Sequence, residues 1–110
     1  MSEIVVVVLG RAKPGRGDEA VAAFQEVAVP THAEEGCITY AVHRVAGDED
    51  RIVLVERWVS REALDQHLQT PHLLAFRADS ADVWAEPMEI LIVDPVEAAD
   101  AAKGYLGGAA

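Results

Sequence analysis

Cysteine is nearly absent: Cys37 is the only one in 110 residues, which excludes an intramolecular disulfide and leaves a thiolate zinc site short of ligands. A reducing, cytoplasmic setting suits such a chain. Between Gly36 and Ile38, at the start of an apolar run, the thiol reads as a small core hydrophobe. Basic side chains are scarce too, 9 Lys and Arg against 19 Asp and Glu, for a formal net charge of −10. That balance repels a phosphate backbone and no Lys/Arg cluster offsets it, so nucleic acid is not an expected partner. Long hydrophobic runs are missing as well. The stretch IVVVVL at positions 4 to 9 is too short to span a bilayer, and no basic segment precedes it as in an export signal. The expectation is a soluble protein with no membrane partner.

What the chain does have is apolar content, 51% of its residues, enough for one domain with a real core. Residues 4 to 12 are β-branched and apolar on both parities, which predicts a strand buried on both faces. After the Pro-Gly turn of KPGRGDEA, Asp18 is placed to cap a helix whose apolar face runs through Val21, Phe24, Val27 and Ala28. Pro30 should kink or restart that helix, and Gly36 is suited to end it in a left-handed cap. GRAKPGRG lacks the Gly-Lys-Ser/Thr ending of a phosphate loop and reads as a turn.

Two strand-like runs follow, CITYAVHRV and RIVLVERWV, joined by the turn signal AGDED. Alternation puts Ile38, Tyr40 and Val42 on one face of the first, and Ile52, Leu54, Glu56 and Trp58 on one face of the second. Ser60 can cap a short helix whose apolar face holds Ala63, Leu64, His67 and Leu68. Thr70 and Pro71 then form a cap and first-turn pair for a helix reaching about Val83, with Leu73, Phe76, Arg77 and Ser80 along one side. MEILIV is the last strand, closed by Pro95. A tail over residues 96–110 is rich in Ala and Gly, with one short helix expected around Glu97 to Lys103 and fraying at the end.

The order β, α, β, β, α, β with an extra helical turn is the split βαβ arrangement of α+β ferredoxin-like domains, with an antiparallel sheet. Helices cover one sheet face in that layout. The other face carries Val53, Val55, Leu91 and Val93 with no second helical layer to cover them, which predicts a homodimer packing sheet on sheet. An apolar space is expected between sheet and helices in each subunit.

At the level of whole motifs, EEGCITY, VERW followed by Ser60, and above all ALDQHLQTPHLLAF resemble the antibiotic-biosynthesis monooxygenase domain, in particular its small quinol monooxygenases. The likeness runs over roughly Ile4 to Val93, so that residues 1–95 form the domain and 96–110 the tail. It implies a homodimer of the dimeric α/β-barrel type that oxidises a quinol or related phenolic, polycyclic aromatic compound with O2, without metal, flavin or haem. A haem-degrading branch of the family carries an asparagine, a tryptophan and a haem-ligating histidine where this chain has Val8, His67 and Arg77. All three differ, which argues against haem degradation.

The candidate chemistry gathers in HLQTPHL. Two histidines share a helix face at spacing three or four, but His67 and His72 are five apart with Thr-Pro between them, and no third donor is evident nearby. The pattern therefore predicts no metal site. Either histidine, set against an apolar pocket, can take a proton from a bound phenol, since an unperturbed imidazole titrates near pH 6.5. The alternative is structural: His67 packed on its helix face, His72 exposed in a first turn. His32 and His43 read as surface positions.

Tyr40 and Trp58 can stack on an aromatic substrate or serve as core. Leu73 and Phe76 would line the pocket beside them. Glu56 sits among apolar neighbours, where an ion pair with Arg44, Arg57 or Arg77 is expected. Arg77 can hold a substrate oxyanion or lay its stem over apolar surface. A non-catalytic dimeric module binding a small apolar ligand in the same space is the second functional reading.

Overall fold

The structure, a computed structural model, describes residues 3–106. Its elements are β1 (Ile4–Arg11), α1 (Gly17–His32), β2 (Cys37–Val45), β3 (Asp48–Trp58), α2 (Arg61–His67), α3 (Pro71–Asp79) and β4 (Glu89–Val93). The strands form one antiparallel sheet in the order β2-β3-β1-β4, the ferredoxin-like α+β arrangement that the order of elements predicts. β1 is paired on both edges; Val6 and Val8 on its inner face and Val5 on the other are buried, but Val7 and Leu9 are only half-buried, so the expected burial of both faces is reached in part.

One sheet face presents Ile52, Leu54, Glu56 and Trp58, all buried. Over it lie Ala20, Phe24 and Val27 of α1, Leu64 of α2, and Leu73 and Phe76 of α3, closing a single core. Trp84 packs its ring edge-on to Phe24 at 5.8 Å and lies over Gly10, where a Cβ would meet the indole at 2.7 Å.

Several helix and strand ends differ from their sequence signals, each for a tertiary reason. α1 starts at Gly17, and no side chain of its own segment caps it. The Asp50 carboxylate on β3, just past the β2–β3 turn, accepts from the Gly15 and Gly17 amides at 3.1 and 2.9 Å, while Asp18 pairs with Arg44. Glycine is required at 17 because a Cβ there would stand 2.0 Å from the Glu49 carbonyl oxygen.

Pro30 does not break α1, which continues to His32. The proline falls in the last turn, where its ring costs a single N–H bond and its carbonyl still accepts from Ala33. Gly36 is not a left-handed cap, since the positive-φ glycines among the described residues are Gly15 and Gly47. It is needed for proximity: a Cβ there would come within 2.4 Å of the Ala63 Cβ, so Gly36 lets α2 close on the start of β2.

Ile38 does not share the inner face with Tyr40. A bulge lies between Cys37 and Thr39, and it leaves Ile38 exposed while Cys37 turns toward the core. The β2–β3 turn is shorter than AGDED implies, with Val45 opposite Asp48 across Ala46 and Gly47. α3 stops at Asp79 rather than near Val83, and the Ser80 hydroxyl donates to the Phe76 carbonyl at 2.6 Å where the helix ends.

Among the described residues β4 pairs only with β1, and it is exposed on both faces, Ile90 and Ile92 on one and Leu91 and Val93 on the other. Of the tail, residues 96–106 are described and form turns about Asp100 rather than the expected short helix. Residues 107–110 lie outside the described part. Among the described residues no helix is long and apolar enough to cross a membrane.

Candidate active site

The site is built at the junction of the three helices. Ser60 caps α2 by accepting from the Ala63 amide at 3.1 Å, which fixes the helix so that its last residue, His67, is buried. Thr70 then uses one hydroxyl twice: it donates to the His67 carbonyl at 2.8 Å and accepts from the Leu73 amide at 3.3 Å. The chain is thereby turned back on itself between α2 and α3. His67 and His72 are not separated by Thr-Pro, as their spacing suggested; their ring centroids are 6.2 Å apart.

Glu34 holds them together. It comes from the loop after α1, and its Oε2 lies 2.8 Å from His67 Nδ1 and 2.8 Å from His72 Nε2. An ionised carboxylate only accepts, so the two imidazoles donate, which assigns the His67 proton to Nδ1 and the His72 proton to Nε2. His67 Nε2 is then a lone-pair nitrogen with no protein partner among the described residues. Burial, the largest influence, pushes the His67 pKa below its ordinary 6.5, against the opposing pull of Glu34, so the ring is neutral at neutral pH.

Glu34 is the residue that reasoning along the sequence missed. It lies 33 positions from His67 and 38 from His72, in the EEG segment that follows the first helix. The expectation that the histidines lack a third donor is corrected by it: Glu34, His67 and His72 place their donor atoms within 4.8 Å of one another, a set able to hold a metal ion.

His67 forms part of the wall of a cavity of about 150 Å³ between the sheet and the helices. Val6, Val8, Leu54, Ile90 and Ile92 supply its sheet side, and Phe24, Leu64, Leu73 and Phe76 its helix side. Of the residues singled out from the sequence, Tyr40, Glu56, His67, Leu73, Phe76 and Arg77 line it. Trp58 and His72 do not. Trp58 is fully buried behind the wall, its ring 4.5 Å from that of His67, and its Nε1 donates to Glu56 Oε1 at 2.9 Å. His72 lies on the outer side of the helices, in a shallow groove shared with Glu26, Pro30 and Asp79.

Among the described residues Glu56 has no arginine partner, contrary to expectation. Arg44 pairs with Asp18 and Arg57 with Glu3, leaving Glu56 5% exposed with the Trp58 indole as its donor. Burial raises its pKa from 4.5 to about 7, the indole hydrogen bond opposing. Tyr40 is buried edge-on to His67, with centroids 5.7 Å apart, and burial raises its phenol well above the usual range. Arg77 is the one solvent-exposed cation on the wall. The Cys37 thiol is pushed up to about 11, chiefly by burial, which fits a packing role rather than a reactive one. His32 and His43 each bond a carbonyl, of Tyr40 and Val53.

Known proteins match this architecture. The antibiotic biosynthesis monooxygenase family model matches residues 3–79. Rv0793 of Mycobacterium tuberculosis is 32% identical over 100 residues, 91% of this chain and 98% of that protein. Its solved structure superposes with a TM-score of 0.81 at 30% identity, covering 90% of this chain and 100% of that one. The Escherichia coli protein named "Probable quinol monooxygenase YgiN" is 34% identical over 103 residues, covering 84% of this chain and 97% of its own. A Synechocystis protein, sll1783, is 36% identical over 89 residues, 79% of this chain, which spans only 60% of that relative's length. With the matched family model spanning most of the chain and the fold shared over nearly its full length, the protein belongs to the antibiotic biosynthesis monooxygenase family.

Proposed function

We propose that the protein is a cofactor-independent monooxygenase that oxidises a quinol or related phenolic aromatic compound with O2, and that His67 is its base. The observation that carries this reading is an imidazole fixed by Glu34 at Nδ1, with a bare Nε2, in the wall of an apolar cavity. A phenolic O–H donates to Nε2 and transfers its proton there, and the Glu34 carboxylate stabilises the imidazolium that forms. The anion left behind is electron-rich and hands an electron to O2 against the apolar wall. For a hydroquinone the balance closes without an external reductant: the substrate gives up four electrons, one oxygen atom enters the ring as a hydroxyquinone, and the other leaves as water.

Size supports a compact substrate. A cavity of about 150 Å³ matches one that holds a single benzene ring, well below the roughly 300 Å³ at which drug-sized pockets begin. Oxygen consumption by metal-free protein over a panel of hydroquinones, naphthoquinols and anthrones is expected to favour one- and two-ring quinols over three-ring anthrones. Binding of panel members with no turnover of any would instead support the binding-module reading. A Soret shift on haem titration would support haem binding.

The same reading includes a homodimer. β4 carries four exposed apolar side chains, Ile90, Leu91, Ile92 and Val93, on an edge paired on one side only, an arrangement that soluble monomers avoid. Light scattering is expected to give twice 11.8 kDa, and Leu91→Lys to halve it. A wild-type mass of one chain at micromolar concentration would refute the dimer.

A further inference from the structure

We propose that Glu34, His67 and His72 form a site for one divalent transition-metal cation of the zinc type, lying behind the cavity wall rather than inside it. The donor set is two imidazoles and one carboxylate, the borderline N/O chemistry that suits Zn2+, Co2+ or Ni2+ and is poor for Ca2+ or Mg2+. Geometry brings the donors near enough. His67 Nδ1 and His72 Nε2 each stand 2.8 Å from Glu34 Oε2, and all three atoms lie within 4.8 Å of one another. A tetrahedral ion with bonds of about 2.0–2.1 Å wants its donors about 3.3 Å apart, so each N···O contact has to open by about half an ångström and the two imidazole nitrogens, in a set spanning up to 4.8 Å, have to approach by up to about 1.5 Å. His72 and Glu34 are part-exposed and free to move that far, while His67 is 2% exposed and anchored against Trp58.

The site is open to solvent on the helix side. Glu34 and His72 retain 17% and 23% side-chain exposure, which gives the ion an entry path and room for a water as fourth ligand. The negative charge of the whole chain, −10, draws cations toward it. Neither Glu34 nor His72 belongs to the cavity wall, so the ion would not touch a bound substrate.

The ion acts on the cavity through His67. In the metal-free protein the ring proton sits on Nδ1 and Nε2 is bare. A metal bonded at Nδ1 takes up that nitrogen's lone pair; the proton it displaces passes to solvent and Nε2 takes one up, so the neutral ring carries its N–H on Nε2. His67 then presents a donor where it had an acceptor, and it cannot take a proton from a phenol. This second half rests on the reading of His67 as the base: occupancy of the metal site is expected to switch the oxygenase off.

Binding is tested apart from turnover. Titrating the full-length, metal-free protein with Co2+ is expected to give a visible d–d absorption band saturating at one ion per chain, and calorimetry with Zn2+ the same stoichiometry. Glu34→Gln and His72→Asn should each weaken the affinity by more than the roughly 10- to 100-fold that loss of an outer-shell partner costs. Imidazole 15N shifts should show the His67 proton moving from Nδ1 to Nε2 as Zn2+ is added. No band and no heat, or equal affinity in wild type and both variants, overturns the site, whatever the protein does with quinols. If Zn2+ binds and the proton moves but quinol-dependent oxygen uptake continues undiminished, the site stands and His67 is not the base.

Discussion

His67→Gln is expected to lower kcat/KM for the best quinol by roughly 100- to 10,000-fold, the range spanned by positioned general bases. Glutamine is the informative replacement because an alanine would also remove the ring that packs 4.5 Å from Trp58 and open a void in the core. The loss should fall on kcat with KM little changed, since the apolar wall of Leu54, Leu73 and Phe76 still binds the ring. His72→Asn leaves that wall intact and should cost far less. Equal rates for wild type and His67→Gln in oxygen-electrode assays would sink the assignment.

Glu56→Gln is expected to stabilise the fold, and to do so only at high pH. The folded protein binds the Glu56 proton more tightly than the unfolded chain does, with a pKa of about 7 against 4.5. Its contribution is therefore fully present below pH 4.5 and lost as pH rises to about 7, above which the fold carries an ionised carboxylate that is 5% exposed. The free-energy equivalent is about 3 kcal/mol, which glutamine removes while its amide oxygen can still accept from Trp58 Nε1. A Tm gain on the order of 10 °C at pH 8, shrinking to little at pH 4, is the expected pattern in paired melting curves. A difference that does not change with pH would show that Glu56 is not buried as an acid.

The sequence was most informative where a signal is local. Alternation along RIVLVERW placed Ile52, Leu54, Glu56 and Trp58 on one buried face, and the hydroxyls of Ser60 and Thr70 marked two helix starts. Periodicity likewise turned His67 inward. Signals that depend on a partner remote in sequence were not legible. The α1 cap is Asp50, on β3; Gly36 is small because of Ala63; and Glu56 lacks the arginine that its burial seemed to require. The most consequential case is Glu34. The five-residue spacing of His67 and His72 does rule out a metal pair on a single helix, yet it does not govern the folded site. There the third donor arrives from another element, and the Thr70 turn removes the separation that Pro71 seemed to impose.

Trp58, a candidate to stack on substrate, instead packs against His67. Its indole lies 4.5 Å from the His67 ring, and the only other tryptophan, Trp84, is across the core beside Phe24. A protonated imidazole in contact with an excited indole drains its emission by electron transfer, whereas a neutral one does so weakly. With Trp84 replaced by phenylalanine and Glu56 by glutamine, which removes the titrating carboxyl bonded to the indole, the protein would carry a single tryptophan pressed against His67, so that the charge on that imidazole is readable as light intensity without any label.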